Sequence, residues 1–381
     1  LELFYAHNSD ILVSRYEIDK AGADLVGAKL IPNPGLSFNY TSIEFGRGGG
    51  IRLGDNTLWA LRLDQLIELG GKRGLRTSTA EAALEAARLS HKDLIRNLMV
   101  GFYTLYYNVL LDELNVEFSR QELGRIDRIL EISGKRYAAG ALSLLDFMKL
   151  KLSRVEIESN VVNDETQLRN DLEFFSVLLG GDRNRKPAKS EAAGVFAEYS
   201  EERLVQTAWE KRSDLLLLEK QLETAENAQK LARANAIPDL GIGAEYDSLG
   251  PSHQPAFGFG LSLNIPLFNR NQGEIQKAGY VRDQIKVQID KTKRQIEAEV
   301  RQALNNYQSS FRVLEAYRSN EKDMAELLDR TGQAFSRGGL TVLDFLDTQK
   351  TYRDFMSKSR QALTQSRLSQ AILELVAGGV S

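Results

Sequence analysis

Cysteine is absent from all 381 residues, which excludes disulfides, Cys-based zinc sites and a lipid-anchoring Cys within this chain without fixing its compartment. Proline is scarce, with four of the seven at 32–34 and 251–255, so very long segments carry no helix breaker. Histidine numbers only three, His7, His91 and His253, and they stand far apart. No stretch approaches the roughly eighteen uninterrupted apolar residues of a transmembrane helix. No signal peptide is expected at Leu1, so an exported protein would have lost its leader. Basic charge is not in excess either: the formal net charge of −3 provides no field for nucleic acid, and no RNA or DNA partner is expected.

What is present is a repeat. At a shift of 198 residues, GKRYAAGALSLLDF (134–147) lies on GQAFSRGGLTVLDF (332–345), and LLGG (178–181) on VAGG (376–379). With a small gap, IPNPGLSFNY (31–40) pairs with IPDLGIGAEY (237–246), and LRLDQLIELGGKRG (61–74) with LSLNIPLFNRNQGE (261–274). Two similar halves are expected, 1–181 and 201–381, joined by the polar linker 182–200. Each reads helix, strand, strand, long helix, glycine turn, helix.

The first long helix is expected at about 75–133. Leu84, Ala87, Leu94, Leu98, Phe102, Leu105, Val109, Val116, Leu123, Ile126 and Leu130 recur there at coiled-coil spacing. In the second, about 274–332, Val300, Ala303, Tyr307, Phe311, Leu314, Tyr317, Met324 and Leu328 repeat the pattern. A helix of about 58 residues spans roughly 87 Å, well past the ordinary globular helix. Shorter helices at about 5–30, 141–179, 202–236 and 341–377 match one long helix when two are placed end to end, which predicts a wall of antiparallel helices.

Four strands are expected, at about 35–45, 57–68, 239–247 and 255–267. In the last, Phe257, Phe259, Leu261, Leu263 and Ile265 alternate with Gly258, Gly260, Ser262 and Asn264. Leu240, Ile242, Ala244 and Tyr246 alternate with Gly241, Gly243 and Glu245 in the third; Trp59, Leu61 and Leu63 alternate with Ala60, Arg62 and Asp64 in the second, with Leu66 and Ile43 breaking parity near strand ends. Apolar outside and small or polar inside is the rule of a membrane barrel, and a spanning sheet must close because lipid offers no partner for an edge. Four strands cannot close around a pore. Three copies give twelve strands, so the fold class expected is mainly α with a shared β-barrel.

Catalysis finds no support. There is no Ser/His/Asp or Cys/His arrangement, no H-E-x-x-H, and GRGGG (46–50) does not open a helix. His91 falls on the apolar stripe between Ala87 and Leu94, where a packed, hydrogen-bonded histidine is expected rather than a ligand. No catalytic residue, metal site or cofactor is expected.

The order of elements and the motifs AAGALSLLDF and SRGGLTVLDF resemble the TolC-like outer-membrane efflux channels across essentially the whole chain. The strand-to-helix junctions QLIELGGKRG (65–74) and IPLFNRNQGEIQKA (265–278) are similar to those of the CzcC-type branch, which serves heavy-metal pumps of the resistance-nodulation-division (RND) class. The resemblance implies a homotrimer, a twelve-stranded barrel in the outer membrane of a Gram-negative bacterium, and a helical barrel extending into the periplasm. It makes 182–200 the equatorial region, and the partners a periplasmic adaptor (membrane fusion protein), an inner-membrane RND pump and outer-membrane lipid. The lipid-facing residues would be Phe257, Phe259, Leu261, Leu263 and Ile265.

At the junctions, Lys72, Arg73 and Arg270 read either as a simple basic turn or as headgroup contacts. The tips, Gly140, Ala141, Leu142 and Ser143 with Gly338, Gly339, Leu340 and Thr341, read as helical hairpins capped by glycine and by Ser143 or Thr341. The resemblance adds adaptor docking there. Asp344 and Asp347 lie three residues apart on one helix face, either as first-turn acids at a helix N-terminus or, as the resemblance implies, as an aspartate constriction at the periplasmic gate. Asp146 is the first-half counterpart of Asp344, with Lys149 where Asp347 would be; Tyr137, Phe335 and Arg337 approximate the aromatic and basic latch of the closed tip. The alternatives are a multidrug or type I secretion channel and, in another class, a periplasmic long-helix adaptor or scaffold.

Overall fold

The computed structural model describes residues 1–45, 51–181, 196–248 and 254–379. Helices α1 (Glu2–His7) and α2 (Ser9–Lys29) precede strands β1 (Gly35–Phe45) and β2 (Ile51–Ile67), then α3 (Lys72–Ala138) and α4 (Leu144–Leu178). The same order follows in α5 (Glu201–Lys211), α6 (Ser213–Ala234), β3 (Leu240–Ser248), β4 (Ala256–Leu263), α7 (Gln272–Ser336) and α8 (Val342–Val376). Of the expected linker 182–200, residues 182–195 lie outside the described residues, as does GRGGG at 46–50.

Several boundaries differ from the expectation, each for a local reason. The helix expected at about 5–30 is two, because Asn8 adopts an extended conformation and its Oδ1 accepts from the N–H groups of Asp10 (3.0 Å) and Ile11 (3.2 Å), capping α2. The helix expected at about 202–236 breaks at Arg212, whose backbone is extended and whose buried guanidinium donates to Glu299 at 2.6 Å. The long helices α3 and α7 run 67 and 65 residues, starting earlier than expected because Gly74 and Gly273 are accommodated within their first turns and continuing to Ala138 and Ser336. β2 begins at Ile51 rather than 57. β4 stops at Leu263, whose partner Leu240 is the first residue of β3, so nothing extends the ladder towards Ile265. Ile265 is therefore an exposed residue beyond the strand, not a strand position.

Two compact units result. The first holds residues 1–14, 91–213 and 293–381 and is helical; the second holds 15–90 and 214–292 and contains the sheet. In the helical unit, Phe4, Met99, Phe102, Val109, Phe175 and Leu375 form one core. A second core joins Ile126, Ile129, Leu150 and Ile157 to Phe335, Val342 and Phe345. Tyr307, Phe311 and Leu373 anchor a third, where the Tyr307 hydroxyl accepts from the Ala197 N–H at 2.8 Å. Long helices thus hold their core as a seam, as the threes-and-fours spacing requires. His91 shares a 2.6 Å hydrogen bond with Ser14.

In the second unit the four strands pair antiparallel in the order β1-β2-β3-β4, so β1 and β4 are edges. At the foot of the sheet the buried Lys72 ammonium donates to Asp239 and to the Ile237 carbonyl, both at 2.7 Å, and Asp239 also accepts from the Leu69 N–H at 2.9 Å. This clasp ties the β2–α3 turn to the segment entering β3. Lys72 thus serves an internal pair rather than a free basic turn.

Candidate functional site

The strand register settles which side chains share a face. Leu36 and Phe38 sit opposite Leu63 and Leu61; Leu61 and Leu63 sit opposite Tyr246 and Ala244; Ile242, Ala244 and Tyr246 sit opposite Leu261, Phe259 and Phe257. Parity therefore links the four strands as far as Leu63, and this face is apolar except at Gln65, which sits opposite Ile242 while Leu66 turns to the other side. It is also uncovered: Phe257, Phe259 and Leu261 are 80%, 89% and 76% exposed, and Leu263 is exposed with them. A contiguous apolar surface of this kind on a folded protein requires a partner or a lipid phase. Across it runs a row of rings, with Phe38 to Trp59 at 6.1 Å, Trp59 to Tyr246 at 5.3 Å and Tyr246 to Phe257 at 5.0 Å between centroids. Such a belt at one level is what membrane barrels place at the headgroup boundary.

The opposite face explains its glycines. Arg62 lies along the sheet, its Nε 2.9 and 2.8 Å from the two Asp64 oxygens and its Nη1 3.4 Å from Glu245. A Cβ at Gly243 would stand 2.5 Å from Asp64 Oδ1 and 3.0 Å from Arg62 Nη2, so a larger residue there would force the pair to shift. Gly260 lies beneath the same guanidinium. The long charged side chains of β2 thus fill the space that β3 and β4 leave open, and this face is polar although its own residues are largely small.

At the other site, both tip turns close with the same cap. Gly140 (φ 73°) donates to the Tyr137 carbonyl and Ala141 to Arg136; Gly338 (φ 83°) donates to Phe335 and Gly339 to Ala334. Each is a paired cap whose left-handed residue is a glycine, the residue that adopts that conformation without strain. The next helix starts at once. Ser143 accepts from the Asp146 N–H at 3.1 Å and donates to its carboxylate at 2.8 Å; Thr341 does the same with Asp344, at 3.1 and 2.7 Å. Leu142 and Leu340, one from each turn, pack into the same core. The structure therefore brings the two sequence-predicted tips together.

The three acids expected at a gate differ in setting. Asp146 and Asp344 are engaged by their capping hydroxyls, and Asp146 is also 3.5 Å from Lys149. Asp347 stands exposed a turn further along α8. Phe335 is not a surface latch: it is 1% exposed and stacks on Phe345 at 4.9 Å. Tyr137 is exposed and stacks on Phe147 at 5.2 Å, and Arg337 is exposed. The basic residue that joins the hairpins is Arg136, which the sequence reading passed over. Its Nη1 donates to the Phe335 carbonyl at 2.7 Å and its guanidinium covers the Phe335 ring at 5.3 Å.

Also unforeseen are buried polar groups on the core stripe of α3. Asp112, Ser119 and Glu122 are buried with Val109, Val116 and Ile126. Burial pushes the Glu122 carboxyl up, against the opposing pull of Arg125 and of Gln349 on α8. The signal was available, since 109, 112, 116, 119, 122 and 126 keep the spacing of threes and fours, but acids at those positions read as solvated. Among the described residues no cluster of His, Cys, Asp or Glu is placed to hold a metal, and no helix is long and apolar enough to cross a membrane.

A two-faced antiparallel sheet with an uncovered apolar side and an aromatic belt is a membrane-inserted strand module, and the same chain carries two helices of 67 and 65 residues. The chain belongs to the outer membrane efflux protein family, which it matches over residues 1–181 and 204–379. The cobalt-zinc-cadmium resistance protein CzcC of Cupriavidus metallidurans is 24% identical over 364 residues, 92% of this chain and 82% of that protein. The outer membrane protein TolC of Escherichia coli is 22% identical over 400 residues, covering 95% and 78%. The crystal structure of CusC, solved in a study of its folding and transmembrane channel formation, superposes with a TM-score of 0.82 at 16% identity, covering 99% of this chain and 91% of that one. The fold is thus mainly helical and of the TolC kind.

Proposed function

We propose that this chain is the outer-membrane exit duct of a tripartite RND efflux system and that its cargo is heavy-metal cations. The observation that carries the duct is the continuous apolar face of a four-stranded sheet whose edges, β1 and β4, are open. In lipid such edges must be paired, and three copies joined edge to edge close a twelve-stranded barrel with Arg62, Asp64 and Glu245 turned to the lumen. A second surface supports assembly. On α4, Leu145, Met148, Leu152, Val155 and Val162 are exposed at threes, fours and sevens, while Leu150, Ile157 and Val161 of the same helix are buried. A helix apolar on two faces has two partners, and the neighbouring copy supplies the second.

The two halves, 1–181 and 201–381 about a linker at 182–200, then stand as repeats contributing two strands each. Asp344 and Asp347 from three copies would ring the axis at the periplasmic end, with Asp146 beside Lys149 as the first-half counterpart. Gly140 to Ser143 and Gly338 to Thr341 would receive the adaptor. Similarity to CzcC and the two junction motifs favour metal cargo, and similarity to TolC supports the second reading, a drug or secretion channel.

Deleting the chain from its host is expected to sensitise the cells to at least one of zinc, cobalt, cadmium, nickel and copper, with rescue by the intact chain. Growth inhibition across these metals is the measurement. Full metal tolerance with new sensitivity to drugs or detergents would replace the metal reading by the second one.

A further inference from the structure

Glu122 and Gln349 face each other across the seam between α3 and α8, one turn beyond Ile126 and Phe345 of the tip core. They are 1% and 2% exposed. Gln349 Nε2 donates to Glu122 Oε2 at 3.5 Å, a long bond. Among the described residues, nothing donates a hydrogen bond to Glu122 Oε1 or to Gln349 Oε1. Arg125, partly exposed and lying over the Tyr352 ring at 5.4 Å, comes within 3.5 Å of Glu122 Oε1. Positions 119, 122 and 126 on α3 and 345, 349 and 352 on α8 keep the spacing of a core stripe, where two leucines would leave no oxygen unmet. The matching positions of the other half, Asn320 and Lys151, are both exposed, so the repeat does not account for the pair.

A buried polar pair is costly beside an apolar one of similar volume, and its best-attested use is to set registry. We propose that Glu122 and Gln349 fix the axial register of α8 on α3. Apolar stripes that repeat at threes and fours fit one another at more than one height, whereas a buried polar group finds its partner at one height only. A slip of one turn in one direction would set Glu122 against Phe345, which offers no donor. In the other direction it would set Glu122 beside Tyr352 and Arg353, and would draw Arg353 from Glu156 of α4, its partner at 3.0 Å. Two further contacts hold at the observed height: Tyr352 meets Phe118 at 6.0 Å between ring centroids, and Arg360 Nε donates to Asn115 at 3.0 Å. Each lies further along α8 and further back along α3, as antiparallel pairing requires.

The register has a consequence at the tip, where α8 begins. Its first turns carry Asp344 and Asp347, so the height of α8 on α3 sets the height of both acids against the first-half hairpin. That consequence rests on the duct reading. The register does not, because it is measured whether or not pores form.

The test uses the full chain in detergent, and its lack of cysteine allows two labels to be placed at will. Gln121→Cys and Lys350→Cys, exposed neighbours of the pair, carry spin labels whose separation is read by pulsed electron paramagnetic resonance; chains with either label alone supply the distances between copies. Glu122 and Gln349 intact are expected to give one narrow separation. Glu122→Leu/Gln349→Leu is expected to give a second separation, displaced along the seam by about 5 Å, the rise of one helical turn. Either leucine alone is expected to lower Tm by several degrees, since it leaves the other polar group buried without a partner, and the double variant is expected to melt above both. Glu122→Gln, which keeps a polar pair, is expected to retain the single separation. Export by the double variant is expected to fall several-fold although it melts above the single variants; a split register with normal export would leave the register standing and remove its consequence for the tip. One unchanged separation in the double variant, a Tm no higher than those of the single variants, or a split separation in Glu122→Gln would overturn the proposal.

Discussion

Leu261→Arg is expected to prevent the chain from accumulating as an assembled outer-membrane protein, whereas Ser262→Arg, one residue on, is expected to be tolerated. The two positions differ only in face. Leu261 pairs with Ile242 on the uncovered apolar side, and Ser262 pairs with Gly241 on the side of Arg62 and Asp64. An arginine near mid-bilayer on the lipid side costs about 2–4 kcal/mol, and a closed barrel would incur that cost once per copy. Ser262 leans over Gly241, where a Cβ would meet its hydroxyl, so a longer chain at 262 extends over a glycine strand rather than into a packed core. Membrane fractionation with the assembled fraction read on mild-detergent gels distinguishes the two. Similar losses from both substitutions would mean that the apolar face does not meet lipid.

Phe335→Ala is expected to unfasten the tip while leaving the sheet inserted. Phe335 is 1% exposed in the core that also holds Phe345, Val342, Leu340 and Leu142, and its ring and carbonyl together hold Arg136 from the other hairpin. Truncating such a phenylalanine costs about 3–5 kcal/mol, and here the loss falls on the region that joins the two helical turns. Limited proteolysis of the variant is expected to cut near both Gly140 and Gly338, and efflux to fall several-fold with membrane insertion retained. Phe335→Leu, which keeps most of the apolar volume, should show a lesser effect. Resistance of Phe335→Ala to proteolysis, with normal export, would show that the tip does not depend on this contact.

The parts of this molecule set by periodicity were open to reading from residue order. The two-faced strands announced themselves because a period of two put Phe257, Phe259 and Leu261 against Gly258, Gly260 and Ser262, and the register carried that parity into β3 and, as far as Leu63, into β2. The tips were legible for a similar reason: a glycine past a helix end followed by Ser143 or Thr341 admits few other conformations. Single side chains that act against the local pattern were not legible. Nothing in the helical stretch around Asn8 or Arg212 shows that one would cap the next helix and the other would reach Glu299, since both breaks depend on tertiary partners. The extent of β4 was overestimated because alternation continues through Asn264 and Ile265, whereas strand length depends on where β3 begins. Asp112 and Glu122 were hidden by their charge. The spacing of Asp344 and Asp347 was plain, but spacing alone does not separate a helix cap from a constriction, and one chain shows Asp344 engaged as a cap.

The claim on which the rest depends is that the open-edged sheet closes only through other copies of the chain. Native mass spectrometry of the full chain released from detergent micelles tests it directly. Three chains are expected as the dominant folded species, with no appreciable folded monomer, because each copy alone leaves β1 and β4 unpaired beside an apolar face. A folded monomer as the main species, stable in the absence of detergent, would contradict it.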